Sequence, residues 1–203
     1  MCIRDSLGSA IIGYNNLSGT LTISNADGFR VALFTTNSAS GDVSLGNVTN
    51  ITASNAGQVA LTYSGQGTGS YSSNVTVVYG DSTNLAGALA NVSSNTIAVT
   101  ATIYDHASGS LSTNAVNLGS AIVGYNNLSN SLTISNADGF RVALFTTNSA
   151  SGDVSLGNVT NVAASNAGQV ALTYSGQGTG SYSSNVTVVY GDSTNLALSL
   201  IHI

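Results

Sequence analysis

Apolar and polar residues alternate along most of the chain with a period of two. In the clearest stretch, single Ala or Thr residues separate Ile97, Val99, Ala101 and Ile103. This period is typical of β-strands that bury one face. The same pattern predicts strands at 7–12, 20–23, 29–33, 42–48, 58–63 and 74–79, separated by turn residues. Only Leu85–Val92 is a weak helix candidate, so the sequence predicts an all-β protein.

The chain contains one long internal repeat. Leu7 to Ile11 recurs as Leu118 to Ile122, at an offset of 111 residues. Between 7–86 and 118–197 only five positions differ, namely Ile12/Val123, Gly19/Asn130, Thr20/Ser131, Ile51/Val162 and Thr52/Ala163. This period is that of a whole domain, not of a solenoid rung of about 20–50 residues. About seven strands per copy, each with one buried face, predict tandem antiparallel β-sandwich domains.

The predicted organisation is a first β-sandwich repeat at 7–106, a linker at 107–117 and a second repeat at 118–197. The second repeat has no counterpart of 87–117, so it lacks the strand equivalent to Ile97–Tyr104. We therefore expect an open sheet edge in the second copy. The segment at 198–203 is apolar enough to pair at that edge as a false strand.

The two end segments read as translated DNA adapter. Residues 1–6 and 198–203 have the sequences Met-Cys-Ile-Arg-Asp-Ser and Leu-Ser-Leu-Ile-His-Ile. Codons for the first segment, read on the opposite strand in a neighbouring frame, encode the second. This DNA resembles the mosaic end of transposon-based sequencing libraries, so we expect 7–197 to be an internal, metagenomic fragment of a longer reading frame. The single cysteine, Cys2, is excluded with the first segment, which closes disulfide and thiolate-metal chemistry.

Charged residues are scarce. Only 5% of the chain is charged, against about 25% in ordinary soluble proteins, and neither Lys nor Glu occurs. The net charge of −5 argues against nucleic-acid binding, which depends on Lys and Arg. No apolar run reaches the roughly 18 residues of a membrane span. The composition therefore favours neither a nucleic-acid-binding nor a membrane-spanning protein.

Three stretches resemble a known family. They are Val116–Gly124 followed by Leu132–Asn136, Gly69–Val78 with its Gly-Ser-Tyr-Ser-Ser-Asn-Val run, and Ile97–Tyr104. These are similar to strands of choice-of-anchor D repeats, the bacterial relatives of ASH-type (Hydin-like) immunoglobulin domains. The chain departs from the family at Tyr63-Ser64-Gly65, where the family often has a Pro after the aromatic residue. The resemblance implies tandem immunoglobulin-like modules that are secreted or surface-displayed and carry no catalytic site.

Two motifs suggest chemistry but favour structural interpretations. Gly65-x-Gly67-x-Gly69 lacks the Lys of a phosphate loop and lies between two predicted strands, so we interpret it as a β-turn. A Ser-His-Asp triad needs a positioned nucleophile and an orienting carboxylate. His106 follows a strand end, and we interpret it as a solvated linker residue. The sequence therefore predicts no enzyme.

The acidic residues are the remaining candidates. Each copy carries three Asp residues beside Gly, where Asp commonly caps a turn. If the strands alternate in direction, the turns that carry Asp138 and Asp192 face the linker, which follows Asp105. Because Ca²⁺ takes oxygen ligands from loops, these three carboxylates form a candidate interdomain calcium site. No other cofactor is expected.

These observations favour a non-catalytic stalk or spacer in a large secreted or cell-surface bacterial protein. Its partners are the neighbouring repeats of the same chain, and no external ligand is identified. Two alternatives stay open: an adhesin-type binding module, which needs exposed aromatic residues such as Tyr14, Tyr71 or Phe34, and an accessory region beside an enzyme outside the fragment. A β-solenoid requires a sub-period of about 20–25 residues, which the sequence lacks.

Overall fold

The computed structural model describes residues 4–46, 48–65, 67–82, 85–176 and 178–193. The chain forms two compact units that divide between Ile103 and Tyr104. The regular elements of the described residues are all β-strands. The prediction of an all-β fold is confirmed, and the weak helix candidate at Leu85–Val92 is wrong, because that stretch consists of turns, bends and irregular backbone.

The described residues of unit 1 form seven strands in two sheets. They are β1 (Arg4–Ile11), β2 (Leu17–Ser24), β3 (Leu33–Ala39), β4 (Val43–Leu45), β5 (Ala56–Tyr63), β6 (Gly69–Asp81) and β7 (Ser93–Tyr104). One sheet has the order β1-β7-β6-β3, and the other has the order β2-β5-β4. The pairs β3–β6, β6–β7, β2–β5 and β4–β5 are antiparallel. In an immunoglobulin-like sandwich, strands three, six and seven belong to one sheet and strands two, four and five to the other, as they do here.

The core of unit 1 lies between these sheets. The alternating residues of β7, from Ile97 to Ile103, are at most 9% exposed, as their period predicts. They join one cluster with buried residues of the opposite sheet, including Leu21, Ile23 and Leu61. Apolar burial contributes about 1.5–3 kcal/mol per large side chain in this core.

One predicted strand begins later than its pattern suggests. The alternation Phe29-Arg30-Val31 belongs to a loop, and β3 starts only at Leu33. Gly28 has φ +105°, a left-handed conformation that turns the chain. The Asn25 side chain then holds the loop, because its Nδ2 donates to the Val31 carbonyl at 3.0 Å. Side-chain bonding to the backbone replaces the sheet pairing here.

In the described part of unit 2 there are six strands. They are β8 (Gly109–Leu111), β9 (Leu128–Asn136), β10 (Leu144–Ala150), β11 (Val154–Leu156), β12 (Ala167–Tyr174) and β13 (Val186–Asp192). Its sheets have the orders β11-β12-β9-β8 and β10-β13. β10 and β13 pair from Leu144 opposite Asp192, the same register as Leu33 opposite Asp81 in unit 1. The common strands of the two copies are thus paired alike.

The two copies differ at the sheet edge. Within the described ranges, β13 pairs only with β10. β13 has 7 residues and β6 has 13, although Gly180 to Asp192 repeat the whole sequence of β6 without change. The false strand expected at 198–203 lies outside the described residues.

Candidate functional site

The residues that follow β7 pack on the body of unit 2. We call residues 105–112 the docking segment. The Asp105 N–H donates to the Phe140 carbonyl at 2.6 Å, and the Val142 N–H donates to the Asp105 carbonyl at 3.1 Å. Further along, β8 pairs with β9, so that Gly109 lies opposite Asn136. The stretch that we predicted as a linker, 107–117, therefore contributes a strand to unit 2.

Arg141 holds the start of the docking segment. Its Nη1 lies 3.1 Å from Oδ2 of Asp105 and donates to the His106 carbonyl at 2.8 Å. Its Nε donates to the Asp138 carbonyl at 3.0 Å, which fixes the guanidinium on its own loop. The Arg141 and Asp105 side chains are 26% and 38% exposed, so solvent screens the pair, and we expect about 1 kcal/mol or less from it. Its main effect is to fix where the segment docks.

Asp192 receives two hydrogen bonds from the same segment. Nδ1 of His106 lies 2.7 Å from Oδ2 of Asp192, and the Ala107 N–H donates to Oδ1 at 2.7 Å. Burial raises the pKa of Asp192. The hydrogen bonds from His106 and Ala107, together with the interaction with the His106 charge, lower this pKa by more than burial raises it, so it lies below the ordinary 3.8. The predicted solvated histidine is exposed, at 61%, but it is paired.

Asn136 and Tyr190 complete the docking surface. Oδ1 of Asn136 accepts from the Ser108 N–H at 3.0 Å, while its Nδ2 donates to the carbonyls of Val142 and Val162. Asn136 is 3% exposed, so these bonds satisfy a buried amide. A Cβ on Gly109 would lie 2.4 Å from the Tyr190 ring. The absence of a side chain at Gly109 therefore lets β8 approach unit 2.

The segments of the three predicted calcium ligands meet, but the chemistry differs from the prediction. Asp105 pairs with Arg141, Asp192 pairs with His106, and Asp138 contributes a backbone carbonyl. Within the described ranges, no group of three or more His, Cys, Asp or Glu side chains is arranged to hold a metal ion. Two of the three carboxylates thus have a basic side chain as their partner, Arg141 for Asp105 and His106 for Asp192.

Sequence reasoning missed the roles of Arg141 and His106. A signal was available for both. Outside the end segments, Arg30 and Arg141 are the only basic residues besides His106. Oppositely charged residues on neighbouring turns pair readily. The alternating strand direction that places Asp105 near Asp192 also places His106, the next residue, near Asp192.

The glycine loop connects two strands. Gly65 and Gly67 lie between β5 and β6. A Cβ on Gly65 would be 2.2 Å from Oη of Tyr63, and a Cβ on Gly67 would be 2.6 Å from Oη of Tyr71. The two tyrosine rings lie 5.5 Å apart. Burial, followed by the nearby Tyr71, Asp42 and Tyr14, raises the pKa of Tyr63 to about 12. The glycines therefore make room for tyrosines rather than for a phosphate.

The His106–Asp192 pair has two members of a triad. Among the hydrogen bonds of the described residues, the His106 ring is joined to Asp192 and to no Ser hydroxyl. General-base activation needs the nucleophile within hydrogen-bond reach of the ring. The arrangement fixes a chain segment, and the geometry for acyl transfer is not assembled in this part of the chain.

Replacing Asp192 by Asn should weaken unit 2 at neutral pH and remove a pH dependence. Because its folded-state pKa is lowered, the carboxylate stabilises the fold above pH 3.8, and this contribution is lost as the pH falls through the folded-state pKa. We expect D192N to reduce the free energy of unfolding by up to about 1 kcal/mol at pH 7, since the pair is partly exposed. Denaturation followed by hydrogen exchange of unit 2, at pH 7 and pH 2.5, measures both effects.

A matched control is D138N, which removes a carboxylate from the adjacent loop without touching the docking segment. D138N should change the stability less than D192N at pH 7. The D192N deficit should be smaller at pH 2.5 than at pH 7, and an equal deficit at both pH values would contradict the role of the ionised carboxylate.

Comparisons with known proteins give little beyond the fold. Across the described part of the chain, no helix has the length and hydropathy that crossing a bilayer requires. No family model matches the sequence, and no curated protein matches it. A chain from the chaperone–tip adhesin complex of CFA/I fimbriae biogenesis is 11% identical, with 95% of this chain and 98% of that chain covered and a TM-score of 0.35. A chain from the Csu pilus chaperone–tip adhesion subunit complex of Acinetobacter baumannii is 10% identical, with 93% and 99% covered and a TM-score of 0.30. Similarities this weak support no functional inference.

Proposed function

We propose that the chain is a pair of non-catalytic spacer repeats from a large secreted or cell-surface bacterial protein. The observation that carries this proposal is the near-identity of the copies, which differ at five of the positions shared by 7–86 and 118–197. A spacer requires length and a stable unit, so every copy can keep the same sequence. A binding or catalytic domain requires its special residues only once.

The surface chemistry supports this proposal. The turns are rich in Ser, Thr, Asn and Gly, and the chain has no Lys or Glu. The charged groups that do occur in the docking segment pair with unit 2, as Asp105 does with Arg141. We infer that the partners of a repeat are its neighbours in the same chain. The resemblance to choice-of-anchor D repeats supports the same setting, a bacterial secreted or surface protein.

The adhesin alternative needs an exposed aromatic cluster. Tyr14 and Tyr71, two of its three candidates, pack against the core of unit 1. Phe34 is 37% exposed and lies on β3, distant in sequence from both Tyr14 and Tyr71. The aromatic residues named for binding are thus largely used for packing, which favours the spacer over the adhesin.

A series of chains with two, four and six complete copies of residues 7–117 tests the proposal. We expect the maximum dimension in solution X-ray scattering to increase by a constant amount with each copy. In a control series, a flexible Gly/Ser segment of equal length replaces the docking segment, and the dimension should then grow more slowly, roughly as the square root of copy number. Arrays that collapse, with a dimension nearly independent of copy number, would contradict a spacer.

A further inference from the structure

Unit 1 has an open groove at the surface where unit 2 holds its docking segment. The groove has a volume of about 750 Å³ and is lined by two sets of residues. The first set, at the start of β7, is Val92, Ser93 and 95–97, and the second set is 21–25, 29–31, Leu33, Tyr79 and Asp81. At the offset of 111 the second set corresponds to residues of β9, the Arg141 loop, β10 and β13 in unit 2, which the docking segment contacts. Among the described residues, the surface formed by this second set is therefore covered by the docking segment in unit 2 and has no such cover in unit 1.

The exposure of identical residues records this difference. The sequence 21–33 is repeated without change at 132–144. Val142 is 5% exposed, whereas Val31 is 36% exposed. Phe140 is 51% exposed, whereas Phe29 is fully exposed. Because the sequences are the same, the additional exposure in unit 1 reflects the missing cover.

The open surface already has the geometry of the filled one. The Arg30 Nε donates to the Asp27 carbonyl at 3.1 Å, as Arg141 does to Asp138 at 3.0 Å. Asn25 donates through Nδ2 to the carbonyls of Val31 and Ile51, which leaves Oδ1 as the acceptor that Asn136 offers to Ser108. A docking segment therefore binds without rearranging this loop, which lowers the cost of association.

An edge strand lies beside the groove. Among the described strands, β2 is at the edge of the sheet β2-β5-β4, whereas its counterpart β9 has β8 on that side. The edge of β2 presents backbone groups that a further strand can pair with. In unit 2 this strand is Gly109–Leu111, paired with Ile134 to Asn136.

We propose that the groove of unit 1 is a docking site for the docking segment of another copy of this repeat. Its Asp pairs with Arg30, its Ser N–H donates to Asn25, and its Gly-Ser-Leu strand pairs with the edge of β2. In unit 1, Asp81 already accepts a hydrogen bond from the Leu89 N–H at 3.0 Å. The contact between Asp81 and the histidine of the docking segment is therefore the weakest of the proposed contacts. This inference does not depend on the spacer function, because docking and array length are measured separately.

The test places the sequence of Tyr104–Asn117 directly before Leu7 in the full chain, in place of 1–6. Asn117 precedes Leu118 in the second copy, so this fusion reproduces the natural connection. Hydrogen exchange is read at Ile23 to Val31, with Ile134 to Val142 as the internal reference. We expect exchange in the first stretch to slow at least tenfold and approach that of the second.

Two variants of the fused chain separate docking from general stabilisation. The first variant, Arg30→Gln, removes the ion-pair partner of the fused segment's Asp. The second changes the fused segment's equivalent of Gly109 to Val. This Val would collide with Tyr79, just as a side chain at Gly109 would collide with Tyr190. The glycine variant should restore fast exchange at Ile23 to Val31, and Arg30→Gln should speed it in part, while β6 and β7 stay protected. The proposal is overturned if the fusion leaves exchange at Ile23 to Val31 unchanged, or if both variants keep the slowed exchange.

Discussion

Completing the second copy should stabilise unit 2 by more than about 2 kcal/mol, the size of one large core truncation. The change replaces 198–203 by a second copy of the sequence 87–117, placed after Ala197. In unit 1 this sequence supplies β7, which pairs with β6 from Gly69 opposite Ile103 to Tyr79 opposite Ser93. Val75 and Val77 beneath it are 0% exposed. Their equivalents, Val186 and Val188, are only half-buried.

The completed chain should also extend β13. Gly180 to Asn185 have the sequence of Gly69 to Asn74 but are not in a strand. With a partner available they should pair, so that hydrogen exchange slows in this segment as it does in β6. Thermal unfolding and hydrogen exchange of the completed and original chains measure the two effects. In the control, the added equivalents of Ile97 and Ile103 are Asp, and no stabilisation is expected because neither charge can be buried unpaired. Equal stability of the original and completed chains would contradict the role of the closing strand.

Replacing Gly80 by Ala should destabilise unit 1 by about 2 kcal/mol, a typical cost of overpacking. The new Cβ would lie 2.0 Å from the Ala90 carbonyl oxygen and 2.7 Å from its carbon. These are backbone atoms, and the neighbouring chain is held in place because the Asp81 N–H donates to the Leu89 carbonyl at 2.8 Å. The segment must therefore move for the methyl group to fit.

Gly191→Ala is the matched control for Gly80→Ala. Gly191 is the same position in the second copy, and a Cβ there meets no atom within 4 Å. We expect a change in unfolding free energy of about 0.5 kcal/mol or less, in line with substitutions that touch nothing. Chemical denaturation with hydrogen exchange assigns each change to its unit. Equal effects of the two substitutions would contradict the packing of Ala90 over Gly80.

The period of two correctly predicted which residues of β5 and β7 are buried. Ile97 to Ile103 and Val59 to Tyr63 alternate as expected, because each strand has one face towards the opposite sheet. The same rule failed at Phe29 to Val31, where a side-chain amide and a left-handed glycine hold a loop. Periodicity records which residues are apolar, and it does not record which backbone groups find a sheet partner.

Identical sequences in the two copies illustrate the remaining limit. Leu7 to Ile11 form part of β1, and Leu7 is 8% exposed. Leu118 to Ile122 have the same sequence but are not in a strand, and Ile122 is 89% exposed. β1 lies beside β7 in its sheet, and the second copy has no equivalent of β7 among its described residues. The structure of such a segment depends on a partner distant in sequence.

The candidate site was predictable in position but not in chemistry. Strand direction brought Asp105 towards Asp192, and the structure joins their segments. Whether carboxylates bind a metal or a basic side chain depends on distances of a few ångströms, which the turns decide. The pairing of Asp105 with Arg141 at 3.1 Å is such a detail.

The increase in the maximum dimension of the repeat arrays with copy number, measured by solution X-ray scattering, tests the spacer function most directly. A strand of the length of β6 spans about 40 Å at 3.3 Å per residue, so we expect each complete copy to add on the order of 40 Å to the maximum dimension. Doubling the number of copies should then nearly double that dimension. An increase of only about 1.3-fold on doubling, the scaling of a compact globule, would contradict the account.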